Sequence, residues 1–149
     1  MDIRAREEVM HQLREQLQPK LLLAVLGGIF AEGIDMRGDM CIGVIIFSPG
    51  LPKISYGREL IARYFEQKEG SGFAYAYIYP GINKVIQAAG RLIRSAQDKG
   101  IIVLVDDRFA DQEVIELLPS YWFKEPSSVA ITAEYQTVIR SFWERFTPD

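Results

Sequence analysis

The chain has 149 residues and a formal net charge of −3, with 48% hydrophobic and 25% charged residues. This length suits one domain with a real core, and the acidic balance argues against a dedicated nucleic-acid-binding module, which usually carries a basic excess. The single cysteine, Cys41, excludes an intrachain disulfide framework and a cysteine-only metal cluster, and the single histidine, His11, adds no metal-ligand pattern.

The sequence shows neither a membrane span nor a targeting signal. The longest aliphatic run is "LLLAVL" at residues 21–26, far short of the ~20 residues that a spanning helix needs. The opening stretch "MDIRAREEVMHQL" is charged and amphipathic, unlike a signal peptide. We therefore expect a cytoplasmic protein without a membrane partner.

The first elements follow from apolar periodicity and from turn residues. Residues 3–17 predict a helix, because apolar residues recur near a 3.6-residue period until a proline. The run at 21–26, bounded by proline and glycine, predicts a strand buried on both faces. A glycine-rich loop at 27–39 and a second buried strand at 41–47 follow. Residues 57–68 predict an amphipathic helix, which "EGSG" ends.

The stretch "FAYAYIY" at residues 73–79 is ambiguous. Its alternating tyrosines suit a strand, whereas the proline that follows suits the first turn of a helix. From Pro80 an apolar helical pattern continues to about Ala96, where "DKG" ends it. This segment is therefore predicted to be a long helix packed along one side.

The last elements repeat the same alternation. "IIVLV" at residues 101–105 predicts a third buried strand. A short helix at 113–118, a loop at 120–128 and an amphipathic helix at 132–146 complete the chain. Buried strands alternating with helices predict an α/β domain with a mostly parallel sheet flanked by helices.

We expect one domain over residues 1–149 whose beginning is missing, as in a piece of a longer protein. Three strands are few for a parallel sheet, and the sequence starts inside a helix with no strand before it. The expected parts are a leading helix at 1–20, a core at 21–122 and a carboxy-terminal loop and helix at 123–149.

The stretch "QAAGRLIRS" at residues 87–95 is the candidate site. On a helix, Gln87, Arg91 and Arg94 fall within an arc of roughly 60°. Arginine is always charged, and its planar fork fits phosphate oxygens. Gly90 costs ~1 kcal/mol relative to alanine within a helix, and it permits close approach of a backbone or a ligand. From the pattern alone, a solvated face with salt-bridged arginines is an equally good interpretation.

Four stretches of the sequence resemble segments of one known family, in the order that the family has them. "QAAGRLIRS" resembles motif VI (Q-x-x-G-R-x-x-R) of superfamily 2 helicases, specifically the XPD/DinG-like family. "GGIFAEGIDMRGD" is similar to motif V of that family, and "VIIFSPGLP" and "IIVLVDDRF" are similar to the segments that accompany motif VI. Order and spacing agree over about four-fifths of the chain, from residue 4 to residue 122.

The resemblance implies the second RecA-like lobe, a P-loop NTPase-like fold, of an ATP-dependent DNA helicase. Gln87, Arg91 and Arg94 match motif VI, so the two arginines would act as arginine fingers on the γ-phosphate of ATP. Gly90 belongs to the same nucleotide-binding motif.

The resemblance assigns the glycine-rich loop to motif V. Glu32, Gly33 and Asp35 match that motif, which would couple the nucleotide cleft to the DNA track. Without the family, a strand-to-helix connection with solvated carboxylates is the simpler interpretation of this loop.

The cofactors and partners that the resemblance implies lie largely outside the chain. ATP and magnesium would bind at the interface with an amino-terminal helicase lobe, and single-stranded or duplex DNA would be the track. The chain contains no G-x-x-x-x-G-K-[ST] phosphate loop, so alone it is expected not to hydrolyse ATP. An unpaired sheet edge invites self-association, so a homodimer of the isolated chain is a further expectation.

Other interpretations remain open. The chain could be a non-catalytic helicase-like module that binds or regulates a protein or nucleic-acid partner, or a phosphate or nucleotide sensor. The stretch "IIVLVDD" imitates a magnesium-binding strand, but its position after motif VI favours structural roles for Asp106 and Asp107.

No DNA-contacting residue is assigned from the sequence. Lys53, Arg58 and Arg63 are weak candidates for phosphate contacts. Several aromatic residues could stack on single-stranded bases, although core packing is the more common role of such residues. They are Tyr75, Tyr77, Tyr79, Tyr121, Trp122 and Trp143.

Overall fold

A computed structural model describes residues 3–15, 18–28, 30, 40–93 and 98–146, apart from the side chains of Ile3, Ala5 and Pro126. Its helices and strands alternate along the chain, which confirms the predicted α/β class. In order they are α1 (Ile3–Arg14), β1 (Gly43–Phe47), α2 (Tyr56–Glu69), a π-helix (Ala74–Ile78), α3 (Tyr79–Ala89), β2 (Ile101–Val105), α4 (Gln112–Ile115) and α5 (Tyr135–Glu144).

The two strands form a parallel pair, as the sequence predicts. Gly43 lies opposite Ile101, and the register continues to Phe47 opposite Val105. Parallel strands need a long crossover, and here α2, the π-helix and α3 provide it. The prediction that β1 is buried on both faces is wrong, because Phe47 is 71% exposed while Ile46 is 4% exposed.

Helix α3 provides the centre of the core. Its side chains pack against β1 and against the segment that follows β2. Burying a Val or Ile side chain contributes about 1.5–3 kcal/mol. The fully buried Ile82 and Val85 therefore make this helix a main contributor to the stability of the domain. The core cluster consists of Ile46, Ile82, Val85, Ala88, Ala89, Phe109, Val114 and Leu118.

Helix α2 has well-defined ends, which confirms the helix predicted there. The side chain of Ser55 accepts a hydrogen bond from the Arg58 N–H at its start, and Gly70 adopts a left-handed conformation (φ 67°) at its end. The return is tight at Gly72, where a Cβ would lie 2.1 Å from the carbonyl oxygen of Ala62. Only glycine allows the chain to turn back this closely.

The ambiguous stretch "FAYAYIY" is helical. Ala74–Ile78 forms a π-helix that continues into α3, and Pro80 lies in the first turn of α3 as predicted. Because proline has no N–H, it cannot donate to the carbonyl oxygen of Ala76, four residues earlier. The guanidinium of Arg58 donates to that oxygen instead, at 3.1 Å. Helix α2 thus satisfies a backbone group that Pro80 leaves without its usual donor.

The prediction of a buried strand at residues 21–26 is wrong. The described structure has no strand there, and Leu21, Leu23 and Val25 are 83%, 84% and 80% exposed. A strand needs a neighbour that pairs with its backbone and covers its side chains. Within the described residues the sheet contains β1 and β2 alone, with β2 on one edge of β1. Apolar composition was therefore not sufficient to form this strand.

Four other predictions differ in detail from the structure. The leading helix, predicted to residue 17, ends at Arg14, and the helix predicted at 113–118 is the single turn of α4. The loop predicted at 120–128 contains two 3₁₀ turns, and α5 covers only the middle of residues 132–146. In the part of the chain that the structure describes, no helix has the length and apolar character needed to cross a bilayer.

Candidate functional site

Helix α3 ends earlier than the sequence predicts. Its last residue is Ala89, and the Gly90 N–H closes the helix by donating to the carbonyl oxygen of Ile86 at 2.8 Å. The next two N–H groups, of Arg91 and Leu92, donate only three residues back, at 3.2 and 3.0 Å. The chain therefore leaves the helix through a tight turn. The predicted helix is wrong at residues 90–93, and residues 94–97 lie outside the described chain.

This early end changes the geometry of the motif VI residues. Gln87 is exposed on the last turn of α3, whereas Arg91 is half-buried in the turn beyond it. Arg91 therefore lies beyond the helix on which the sequence predicts a shared arc for Gln87, Arg91 and Arg94. Arg94 lies outside the described residues, so its position stays a prediction.

Leu92 anchors the turn that carries Arg91. Its side chain is 2% exposed, and a Cβ at Gly100 would lie only 2.6 Å from it. Ala88 and Ala89 are buried as the pattern predicts, but Ile93 is 48% exposed rather than packed on the inner side. Arg91 therefore lies between Gly90, which is exposed, and Leu92, which is buried.

Gly90 is open on its outer side. Within 4 Å of the position that a Cβ would take, the described residues place only the carbonyl oxygens of Ile86 and Gln87, which belong to its own helix. The close approach that this glycine permits is thus not used by another described element. Its surface is compatible with a ligand that reaches Gln87 and Arg91 from outside.

The predicted motif V residues cannot be placed. Glu32, Gly33 and Asp35 all lie outside the described residues. Their assignment therefore continues to depend on the sequence resemblance alone.

An ionic cluster joins the carboxyl ends of β1 and β2. Arg108 donates through Nε and Nη2 to the two carboxylate oxygens of Asp106, each at 2.7 Å, and through Nη2 to Ser48 Oγ at 3.0 Å. Ser48 has a left-handed φ of 69°, which costs a non-glycine residue energy. The sequence separates Ser48 from Arg108 by 60 residues, so only the tertiary structure could show this link.

Asp106 is paired with Arg108 in this cluster. The Arg108 side-chain and backbone hydrogen bonds lower the pKa of Asp106 from 3.8 to about 2. Its carboxylate is therefore ionised at neutral pH and already paired. In the described ranges, no group of three histidine, cysteine or carboxylate side chains could hold a metal ion together.

The candidate aromatic residues divide into packed and accessible ones. Tyr77 is 5% exposed and donates its hydroxyl to Glu59 at 2.7 Å, a hydrogen bond that raises the pKa of Tyr77. Trp122 packs against the core cluster. Tyr75 and Tyr79 are half-buried and touch each other, with ring centroids 4.9 Å apart. On the π-helix and α3, Tyr75 and Tyr79 therefore leave part of their rings accessible to solvent, whereas Tyr77 does not.

Of the three basic candidates for phosphate contacts, Arg58 already has an intramolecular role. It donates to Ala76 at the π-helix, as described above. Lys53 and Arg63 are exposed, and nothing in the described structure distinguishes them from ordinary surface residues.

Comparison with known proteins matches most of the chain to one family. Residues 2–125 match the family described as helicase C-terminal domain. The chain is 32% identical over 114 residues to the ATP-dependent DNA helicase DinG of Photobacterium profundum, which covers 70% of this chain and 16% of that protein. It is also similar to the ATP-dependent DNA helicases CHL1 of Candida glabrata (26% over 136 residues; 84% and 16% covered) and Debaryomyces hansenii (33% over 117 residues; 70% and 14% covered). The chain thus spans about one sixth of the length of these curated relatives.

Proposed function

Because the chain belongs to the helicase C-terminal domain family, whose match covers residues 2–125, we propose that it works as the second motor lobe of an ATP-dependent DNA helicase. In this proposal Gln87, Arg91 and Arg94 face the γ-phosphate of an ATP that another lobe holds with magnesium. Glu32, Gly33 and Asp35 couple that nucleotide cleft to the DNA. The chain supplies half of an ATPase site and is inactive alone.

The observation that carries the proposal is the way in which α3 presents its end. Gln87 is exposed on the last turn, Gly90 leaves open space, and Arg91 follows in a turn that buried Leu92 fixes. A phosphate group can therefore approach this end of the helix without displacing a described side chain at Gly90.

The chemistry of these side chains suits phosphoryl transfer. Negative charge shifts among the phosphate oxygens as the γ-phosphoryl group leaves, and a fixed guanidinium stabilises that charge without reorganising. Arg91 supplies such a guanidinium, and its planar fork can bind two oxygens at once. The Gln87 amide adds a neutral donor that can orient a phosphate oxygen or a water molecule. The chain's contribution is electrostatic, and the phosphate loop must come from elsewhere.

The first test uses a protein that contains this lobe together with a lobe bearing a phosphate loop. Arg91→Ala and Arg94→Ala should each reduce ATP turnover by about 10³–10⁵, the range known for arginine fingers. Phosphate release is the readout, and thermal melting checks that each variant stays folded. Arg63→Ala, an exposed arginine on α2, is the matched control and should keep normal turnover.

Two outcomes contradict the proposal. Wild-type turnover in both Arg91→Ala and Arg94→Ala would show that neither arginine is a finger. Strong DNA-stimulated ATP hydrolysis by the 149-residue chain alone would show that the chain is not half of a shared site.

A further inference from the structure

Helix α5 ends in a cluster of aromatic side chains that the motor-lobe proposal does not use. The ring centroid of Phe142 lies 5.1 Å from that of Trp143 and 5.1 Å from that of Phe146, in edge-to-face geometry. Trp143 also contacts Phe146, with 6.5 Å between their centroids. Phe142 and Trp143 are half-buried, whereas Phe146 is 42% exposed. Two neighbouring rings thus hold the ring of Phe146 in place.

This aromatic end is also where α5 is most closely packed. Residues 127–138 are exposed throughout, so the segment that leads to α5 and the first turn of the helix pack little on the rest of the domain. Burial begins at Ile139 and continues at Phe142 and Trp143. The contacts that hold α5 therefore lie near its carboxy-terminal end. The family match ends at residue 125, before this helix begins.

Lys99 connects this end of α5 to the chain before β2. Its Nζ lies 4.2 Å from the centroid of the Phe146 ring. This distance is well within the ~6 Å at which the face of an aromatic ring attracts a cation. Lys99 precedes β2, which begins at Ile101. The contact therefore fastens α5 to the chain just before this strand.

The same part of the chain is where the segment that follows α3 returns to the core. Leu92 is buried, and a Cβ at Gly100 would lie 2.6 and 2.7 Å from its Cδ1 and Cγ atoms. The chain thus leaves Leu92 and comes back to it at Gly100. Arg94 stands between these two contact points in the sequence. Lys99 is the residue next to the second contact point.

We propose that Lys99 and Phe146 are positioning residues for the arginine of the 92–100 segment. The ring of Phe146, held by the aromatic cluster, fixes Lys99, and Lys99 fixes the returning end of the segment in which Arg94 stands. Neither side chain touches the nucleotide, and both act through this segment. The inference deepens the motor-lobe proposal and rests on it, because it names what holds the motif VI arginine in place.

The physical reason is that an arginine finger is effective only when it is already placed. A fixed guanidinium stabilises the transition state without reorganising, and a misplacement of ~1 Å can reduce the rate about 10²-fold. The outgoing end of the segment is anchored by the buried side chain of Leu92. Gly100 has no side chain with which to anchor the returning end, and its neighbour Lys99 supplies a contact there through Phe146.

The first test uses the two-lobe protein in which the motif VI arginines are measured. Phe146→Ala and Lys99→Met should each lower kcat for ATP hydrolysis by about tenfold or more, toward the ~10²-fold effect of a misplaced group. KM for ATP should stay unchanged, because the arginine acts on the transition state rather than on bound ATP. Lys99→Arg and Phe146→Tyr keep a cation and a ring face, so they should retain the wild-type kcat.

Two controls separate positioning from a general effect on α5. Tyr135→Ala removes a comparably exposed ring (52% against 42% for Phe146) from the other end of the helix and should leave kcat unchanged. The double variant Lys99→Met with Phe146→Ala should be no slower than the slower single variant, because both changes remove the same contact. Thermal melting confirms that each variant is folded.

A second readout needs no ATP and uses the 149-residue chain. Amide hydrogen exchange of the peptide that spans residues 91–100, followed by mass spectrometry, reports how firmly the segment is held. Phe146→Ala and Lys99→Met should each speed this exchange by about two- to fivefold, the factor that corresponds to the usual strength of an exposed cation–π contact. Tyr135→Ala should leave the exchange unchanged.

Four results overturn the inference. They are unchanged kcat in Phe146→Ala and Lys99→Met, an equal loss of kcat in Tyr135→Ala, a loss in Lys99→Arg as large as that in Lys99→Met, and unchanged exchange of the 91–100 peptide. The motor-lobe proposal fails on a different result, which is wild-type turnover in Arg91→Ala and Arg94→Ala. If those two variants lose turnover and the Lys99 and Phe146 variants do not, the inference alone fails.

Discussion

The hairpin formed by α2, the π-helix and α3 packs aromatic side chains against one another, whereas the outer face of β1 leaves its apolar side chains exposed. In the hairpin, rings contact rings, and Arg58 satisfies the backbone carbonyl that Pro80 leaves without its usual donor. On the outer face of β1, Ile45 and Phe47 are 55% and 71% exposed, and no other described element covers them. Apolar patches of this kind usually mark interaction surfaces. The rings of the hairpin thus pack partly on one another, whereas no described residue covers the outer face of the strand.

The sharpest test of this comparison uses adjacent residues of β1. Ile46→Ala should lower the free energy of unfolding by about 2–5 kcal/mol, because it leaves a cavity in the core. Phe47→Ala should change it by less than about 0.5 kcal/mol, because that ring is 71% exposed. Urea denaturation of both variants gives the two values. Equal losses would mean that the outer face is covered after all.

The next test is directed at the tight return of the hairpin. Gly72→Ala places a Cβ 2.1 Å from the Ala62 carbonyl oxygen, so the backbone must move. Overpacking of this kind costs about 1–3 kcal/mol. Gly57→Ala on the first turn of α2 is the matched control, because no atom lies within 4 Å of its Cβ position. A thermal midpoint for Gly72→Ala no lower than that of Gly57→Ala would contradict the close approach.

A smaller effect is expected from the hydrogen bond that ties the π-helix to α2. Tyr77→Phe keeps the buried ring and removes only its donation to Glu59. The expected loss is about 0.5–1.5 kcal/mol, the usual net worth of one such bond. Tyr121→Phe, on an exposed ring, provides the comparison and should be neutral. If both variants unfold at the same denaturant concentration, the bond contributes nothing.

The smallest effect concerns the ionic cluster at the strand ends. Asp106 has its pKa lowered from 3.8 to about 2, so its ionised form stabilises the fold above pH 3.8. That contribution is lost as pH falls from about 3.8 through about 2. We expect the decline in stability between pH 5 and pH 2 to be shallower in Asp106→Asn than in the wild type. Identical pH profiles would show that the exposed pair is fully screened by solvent.

The sequence predicted the elements that local pattern determines. The strands at 43–47 and 101–105 and the helix at 56–69 all followed from apolar runs and periodicity. The strand prediction failed at residues 21–26, because an apolar run does not reveal whether a neighbouring strand is present to pair with it. The early end of α3 was also missed, since Leu92 stays buried in a turn and so preserves the apolar pattern.

The residues of the candidate site come from the family resemblance, and the roles of Gln87 and Arg91 stay predictions. The helix on which these two residues were expected to share an arc ends before Arg91. Arg94, Glu32, Gly33 and Asp35 stay predictions.

The contact between Arg58 and the Ala76 carbonyl has an evolutionary consequence. The guanidinium donates there while residue 80 lacks an N–H, so we expect the two positions to compensate for each other. Relatives that replace Pro80 should regain a backbone donor, and position 58 should then be free to vary. Those that keep the proline should retain a long cationic or amide side chain at position 58. An alignment of helicase lobes should therefore show these two positions changing together.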